Sequence, residues 1–152
     1  MVPEISNSSN REVANLSNSP RRSNKRVSWQ IAKDLPTSFL YAAKGLGYAF
    51  STQRNFRVHL GLALVAFLLG FFLKLNKTDL AIMTLTVTCV LVLELINTAI
   101  EAAVDLAIGR RFHPLAKIAK DCSAAAVLVA SISSLMIAFL LLFPALLATF
   151  QI

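Results

Sequence analysis

Between Thr37 and Thr52, the residues Phe39, Ala43, Leu46 and Phe50 recur at i, i+4, i+7 and i+11, with Lys44 and Ser51 off the apolar stripe. That period predicts an amphipathic helix over 37–54. The segment is short and rimmed by Lys44, Arg54 and Arg57, so it is expected to lie along a membrane interface rather than cross it. Longer apolar runs follow. The first, "VHLGLALVAFLLGFFL" from Val58 to Leu73, rises roughly 24 Å at ~1.5 Å per residue, and Phe56 extends it toward a hydrocarbon core about 30 Å thick. A second run covers 80–108 and a third 121–147, where Pro144 falls in the last turns and is tolerable there. The pattern therefore predicts an all-α integral membrane chain, with one surface helix and three spans at about 56–73, 80–108 and 121–147.

Composition agrees with that reading. Of 152 residues, 56% are hydrophobic and 15% charged, and ten are Phe. A soluble domain of this length must cover its surface with polar groups and cannot be so apolar. The net charge of +7 is concentrated where membrane topology signals belong: of the 15 Lys and Arg, only Lys74 and Lys77 lie outside the N-terminal region and the loop "GRRFHPLAKIAKD". With three spans, this asymmetry puts the N-terminus and the 109–120 loop in the cytoplasm, across a cell inner (plasma) membrane, and the C-terminus outside.

Residues 1–36, with "SNSSNREVANLSNSPRRSNKR", have no apolar period and read as a disordered basic cytoplasmic tail. No apolar h-region follows the basic cluster, so it is not ordered as a signal peptide. Attraction to an anionic cytoplasmic leaflet accounts for it better than a nucleic-acid arm. Trp29 reads as an anchor of this tail at the interface. Cys89 and Cys122 have neither CxxC nor metal spacing and read as packing residues.

Candidate chemistry lies in "ELINTAIEAAVDL", Glu94 to Leu106. At ~100° per residue, Asn97, Glu101 and Asp105 fall roughly −60°, −20° and +20° from Glu94, so all four share one stripe. Counted from Leu80, Glu94 lies ~21 Å into its span, and Glu101 and Asp105 reach the cytoplasmic interface. A carboxylate at lipid depth costs at least ~2.5 kcal/mol and must face a partner or a cavity. Interhelical hydrogen bonding would explain one polar residue but fits four poorly. The following loop supplies cations: Arg110, Arg111, His113, Lys117 and Lys120. Pro114 suits a helix start, after which Lys117, Lys120 and Asp121 are near neighbours. Metal-binding acids beside phosphate-binding bases are the working parts of phosphoryl transfer. No Gly-rich P-loop is present, so that nucleotide fold is excluded.

"ELINTAIEAAVDL" followed by "HPLAKIAKDCSAAAVLVASI" closely resembles the prokaryotic diacylglycerol kinase family, which includes the undecaprenol kinases. "SFLYAAKGLGYAFSTQRNFRVHL" resembles that family's surface helix and the start of its first span. The likeness covers about residues 37–142 in order, and the E-x-x-N-[ST]-A-I-E-x-x-V-D run is its most specific part.

The resemblance implies a homotrimeric bundle with active sites shared between subunits, ATP as donor with Mg²⁺, and a membrane lipid alcohol as acceptor. By position it implies that Glu94 is the catalytic base near the lipid hydroxyl and Asn97 its hydrogen-bonding companion. Glu101 matches the metal-binding carboxylate beside the phosphates, and Lys120 and Asp121 the nucleotide-contacting pair. Arg111, Phe112 and His113 match the loop over the nucleotide, and Tyr41 an ATP-contacting residue of the surface helix. Gln53 stands where the family often has a second metal-binding glutamate. Its amide oxygen can coordinate Mg²⁺ without charge, so Gln53 is kept at the ATP site and its part in the metal shell stays open. The loop also carries Arg110 and Arg111 where less basic residues are expected, and it is slightly longer.

The expected activity is ATP-dependent phosphorylation of a membrane lipid alcohol, diacylglycerol to phosphatidate, with undecaprenol as the alternative acceptor. A proton- or ion-conducting membrane protein is the alternative of another class. It explains Glu94 and leaves Lys120, Asp121 and the basic loop without a task.

Overall fold

A computed structural model of the chain describes residues 35–109 and 111–150. The tail before residue 35, with Trp29, and Arg110 lie outside the described residues. The described residues form four helices and no strand: α1 (Leu35–Thr52), α2 (Arg54–Phe72), α3 (Lys77–Ile108) and α4 (Pro114–Phe150).

The breaks between helices have identifiable causes. Gln53 alone separates α1 from α2, in an extended conformation with φ −95 and ψ 112. Its N–H donates to the Ala49 carbonyl at 2.8 Å. Arg57 reaches back from α2 and donates to the Phe50 and Ser51 carbonyls at 2.9 and 3.1 Å. A cation thus serves the unsatisfied carbonyls and the negative end of α1.

At the end of α2, Lys74 takes φ 55, and the Gly70 carbonyl accepts from the Leu75 N–H at 2.9 Å. A Cβ on Gly70 would lie 3.3 Å from Leu75 Cδ1, so hydrogen at this position lets the turn fold back on its helix. Asn76 then caps α3: its Oδ1 accepts from the Asp79 N–H at 2.9 Å, and its Nδ2 donates to the Asp79 carboxylate at 2.7 Å. The helix therefore begins at Lys77, ahead of the apolar run that starts at Leu80. Gly109, at φ 60, ends α3.

α4 begins at Pro114, where the sequence suggested a helix start, and differs from the expectation in joining that helix to the third apolar run. The His113 ring nitrogen Nδ1 accepts from the Leu115 N–H at 3.2 Å, and Pro114 occupies the first turn. From that start the helix runs unbroken through 121 and past Pro144, so the basic segment and the third apolar run are one element of 37 residues.

Three helices, α2, α3 and α4, are long and apolar enough to cross a membrane. At ~1.5 Å per residue, α3 spans about 48 Å and α4 about 55 Å, against a hydrocarbon core of about 30 Å. Both therefore extend beyond the core, and Glu101 and Asp105 of α3 with Lys117, Lys120 and Asp121 of α4 lie toward the α3–α4 connection. Packing is closest between α3 and α4, with α2 mainly against α3; α1 adds no packed face to this bundle.

The buried residues of α3 form one stripe: Met83, Val90, Glu94, Asn97 and Thr98. Small residues are buried on the neighbouring helices, Ala63 and Gly70 on α2 and Ala116 and Ser123 on α4. Lipid tails are as apolar as leucine, so close backbone approach and hydrogen bonds hold such helices together. Large apolar side chains point outward along the same spans, among them Leu68, Leu85, Leu128 and Leu135.

Candidate active site

The polar stripe of α3 lies on its packed face. Glu94 is 2% exposed and is one of the two largest fully buried side chains, with Met83. Its backbone carbonyl accepts from Thr98 Oγ1 at 2.9 Å. Its carboxylate receives no hydrogen bond among the described residues, and since no fully enclosed side-chain oxygen or nitrogen there lacks a partner, its oxygens keep some access to the space beside them. His59 is half-buried and is the ionisable residue lining an apolar cavity of about 380 Å³ among α2, α3 and α4.

One turn nearer the α3–α4 connection, Asn97 Nδ2 donates to Glu101 Oε1 at 3.2 Å. Ser123, from α4, donates to Asn97 Oδ1 at 2.6 Å, and its Oγ also lies 2.9 Å from the Lys120 carbonyl. Asn97 is thus bonded to Glu101 and Ser123, not to Glu94, the partner the resemblance implies. The reason is side-chain direction: helical side chains lean toward the N-terminal turn, so Glu101 leans onto Asn97 four residues before it.

The basic segment forms the second half of the site. Arg111, Phe112, His113, Lys117, Lys120 and Asp121 line one open pocket of about 230 Å³, together with Ile108 and Ala116. Lys120 Nζ reaches across to Asp105 Oδ1 at 2.5 Å, tying α4 to the end of the α3 stripe. Lys117 pairs with Asp121 one turn along α4. Because His113 Nδ1 accepts from the backbone, the remaining proton of a neutral ring sits on Nε2. Lys117 and Lys120, two cations of this pocket, each already face a carboxylate that a phosphate could replace.

Of the residues singled out from the sequence, Glu94, Asn97 and Glu101 share one face, and Arg111, Phe112, His113, Lys120 and Asp121 share one pocket. Tyr41 does not join them within one chain. It is exposed on α1, with Lys44 Nζ 5.6 Å from its ring centroid. Gln53 is half-buried at the α1–α2 break and lines neither cavity. Sequence reasoning missed Ser123 and His59. Ser123 was detectable in part, because Lys120, Ser123 and Val127 follow the helical period and Ser123 is polar at the start of an apolar run.

A donor set of one carboxylate and one amide suits a hard cation such as Mg²⁺ when phosphate oxygens complete its shell. Among the described residues no group of three or more His, Cys, Asp and Glu is placed to hold a metal unaided. Glu101 and Asn97 thus fit an ion that arrives with a nucleotide.

The sequence was compared with known proteins. The family described as prokaryotic diacylglycerol kinase matches residues 40–142. The chain belongs to this family of lipid kinases. A diacylglycerol kinase of Synechocystis sp. is 45% identical over 124 residues, covering 82% of this chain and 71% of the relative. An undecaprenol kinase of Bacillus subtilis is 40% identical over 107 residues, covering 70% and 86% respectively. A diacylglycerol kinase of Escherichia coli K12 is 36% identical over 92 residues, covering 60% and 75%. The family match contains the α3 stripe and the basic pocket alike, so this lipid kinase is a membrane protein whose polar face lies within the matched segment.

Proposed function

We propose that this protein transfers the γ-phosphoryl group of ATP to diacylglycerol, forming phosphatidate at the cytoplasmic face of the cell inner membrane. The observation that carries the reading is the buried Glu94 carboxylate, free of hydrogen bonds among the described residues and sharing a helix face with Glu101 below a cation-lined pocket. The Synechocystis relative supports diacylglycerol as acceptor. Undecaprenol is the second reading, favoured by the Bacillus subtilis relative, of which the chain covers 86%.

The lipid enters laterally from the bilayer and brings its hydroxyl to Glu94. The carboxylate takes the hydroxyl proton as the oxygen forms its bond to the γ-phosphorus. The bond from that phosphorus to the bridging β–γ oxygen breaks, and ADP leaves. Glu94 and Glu101 are seven residues apart, or ~10 Å along the helix axis, which leaves room for the phosphoryl group between them. Lys120, released from Asp105, and the Arg111–His113 segment offset phosphate charge from the opposite side. When bound with ATP, Mg²⁺ supplies neutralisation of the phosphate oxygens, with Glu101 as its protein ligand. Gln53 and Tyr41 belong to the nucleotide site in this reading. Since α1 packs against neither α3 nor α4, they reach it from another subunit, which supports a homotrimer with shared sites. The positive-inside asymmetry of the Lys and Arg residues supports the cytoplasmic orientation.

The test is incubation of purified protein with γ-labelled ATP and Mg²⁺ in mixed micelles containing diacylglycerol or undecaprenol. Label in phosphatidate is the expected result. Label confined to undecaprenyl phosphate would replace the acceptor, and label in neither lipid would overturn the kinase reading.

A further inference from the structure

Asn97 and Ser123 are 8% and 9% exposed, so each of their polar atoms must find a partner inside the bundle. The Glu101 carboxylate offers acceptors and no donor, so the Asn97 amino group faces it and the Asn97 oxygen faces Ser123. In this arrangement the Ser123 hydroxyl has one hydrogen and two acceptors, Asn97 Oδ1 at 2.6 Å and the Lys120 carbonyl at 2.9 Å. The second acceptor is redundant here. It becomes necessary if the amide turns over.

A divalent cation at Glu101 makes that demand. The amino group of Asn97 would then present the positive end of its dipole to the ion, a repulsive arrangement. Half a turn about the terminal side-chain bond removes the conflict, because it brings Oδ1 to the cation and Nδ2 to Ser123. The serine oxygen accepts from Nδ2, and its hydrogen passes wholly to the Lys120 carbonyl. No buried polar atom loses a partner in either state.

We propose that Asn97 is a reversible ligand, which holds Glu101 by its amino group when no cation is present and joins the cation shell by its oxygen when one is, with Ser123 as the positioning residue that makes both orientations tolerable. The proposal rests on Glu101 as the protein ligand of the nucleotide-bound metal. It adds to that reading a second oxygen ligand and a helix α4 contact that responds to metal arrival. Because the Lys120 carbonyl takes the serine hydrogen in the second state, the turnover is felt at the backbone beneath the residue that faces the phosphates.

The experiment uses the full chain in lipid bilayers or micelles, labelled with ¹⁵N at asparagine, with the side-chain resonance of Asn97 assigned by its loss in Asn97→Ala. The probe is Mg²⁺ with a non-hydrolysable ATP analogue. The Asn97 amide resonance should move on addition in the native protein and in Ser123→Thr, which keeps the hydroxyl, and stay in Ser123→Ala. Ser123→Ala should also raise the half-saturating Mg²⁺ concentration about 10-fold, the low end for losing a group that orients a metal ligand, and Ser123→Thr should restore it. Paramagnetic resonance of Mn²⁺ with the same analogue separates the two levels of the argument. If Glu101→Gln leaves Mn²⁺ binding intact, the metal reading and the proposal fail together. If Glu101→Gln abolishes Mn²⁺ binding while the Asn97 resonance never moves, or moves equally in Ser123→Ala, the metal reading stands and the reversible ligand is refuted.

Discussion

Glu94 should limit the stability of the bundle and carry its chemistry, so two substitutions at this position are expected to move stability and activity in opposite directions. Its side chain is 2% exposed, and its carboxylate is free of hydrogen bonds among the described residues. Holding a carboxylate at lipid depth costs at least ~2.5 kcal/mol, whereas a leucine there contributes roughly 0.3–0.6 kcal/mol. The swing for Glu94→Leu is therefore about 3 kcal/mol. Leucine is bulkier, and overpacking costs about 1 kcal/mol or more in a tight core. Here Val90 and Leu91, one turn away, border the cavity of about 380 Å³, so the branched methyl groups of leucine have space to relax into. A net gain of about 2 kcal/mol should remain, read by equilibrium unfolding in mixed micelles with increasing denaturing detergent. Glu94→Gln keeps the shape and loses the base, and kcat should fall roughly 10²- to 10⁴-fold with nucleotide binding preserved. If Glu94→Leu were less stable than the native protein, the carboxylate would have a compensating partner and the reasoning would be wrong. Turnover by Glu94→Gln within about 10-fold of native would assign the base to another group.

Glu101→Gln should raise the apparent requirements for both Mg²⁺ and ATP as well as lower turnover, and unchanged requirements in paired titrations would remove Glu101 from the metal. Lys120→Met removes a charged donor worth about 1.5–3 kcal/mol to a phosphate, so KM for ATP should rise roughly 10- to 100-fold. That loss should shrink at high ionic strength, and a salt-independent KM effect would mean that Lys120 acts by tying α4 to Asp105 instead. Gln53→Glu should make the metal site more anionic and shift half-saturation to lower Mg²⁺ in lipid phosphorylation assays. Superimposable Mg²⁺ curves would leave Gln53 as the residue that ends α1.

The period of apolar residues was enough to read four helices, because burial against lipid and helix geometry act on each segment separately. The shared stripe of Glu94, Asn97, Glu101 and Asp105 was legible for the same reason, and so was the nearness of Arg111, Phe112, His113, Lys120 and Asp121, which are close along the chain. Helix ends were less legible. The Asn76 cap extends α3 to Lys77, since capping is a hydrogen-bonding matter that hydropathy does not register; Pro114 was legible as a helix start, and that its helix continues unbroken into the third apolar run was not.

Pairings across helices came from the tertiary structure alone. Ser123 on Asn97 and Lys120 on Asp105 each depend on the register of one helix against another. That register is decided by small residues allowing backbones to approach, and by polar groups that must be satisfied in a medium without water. A single helix's period says which face a residue occupies, not what it meets there. The sequence alone therefore determined the fold class, the spans and the identity of the polar stripe. The tertiary structure decided that Ser123 meets Asn97 and that Lys120 meets Asp105, because partners on different helices are chosen by packing between segments apart in the chain.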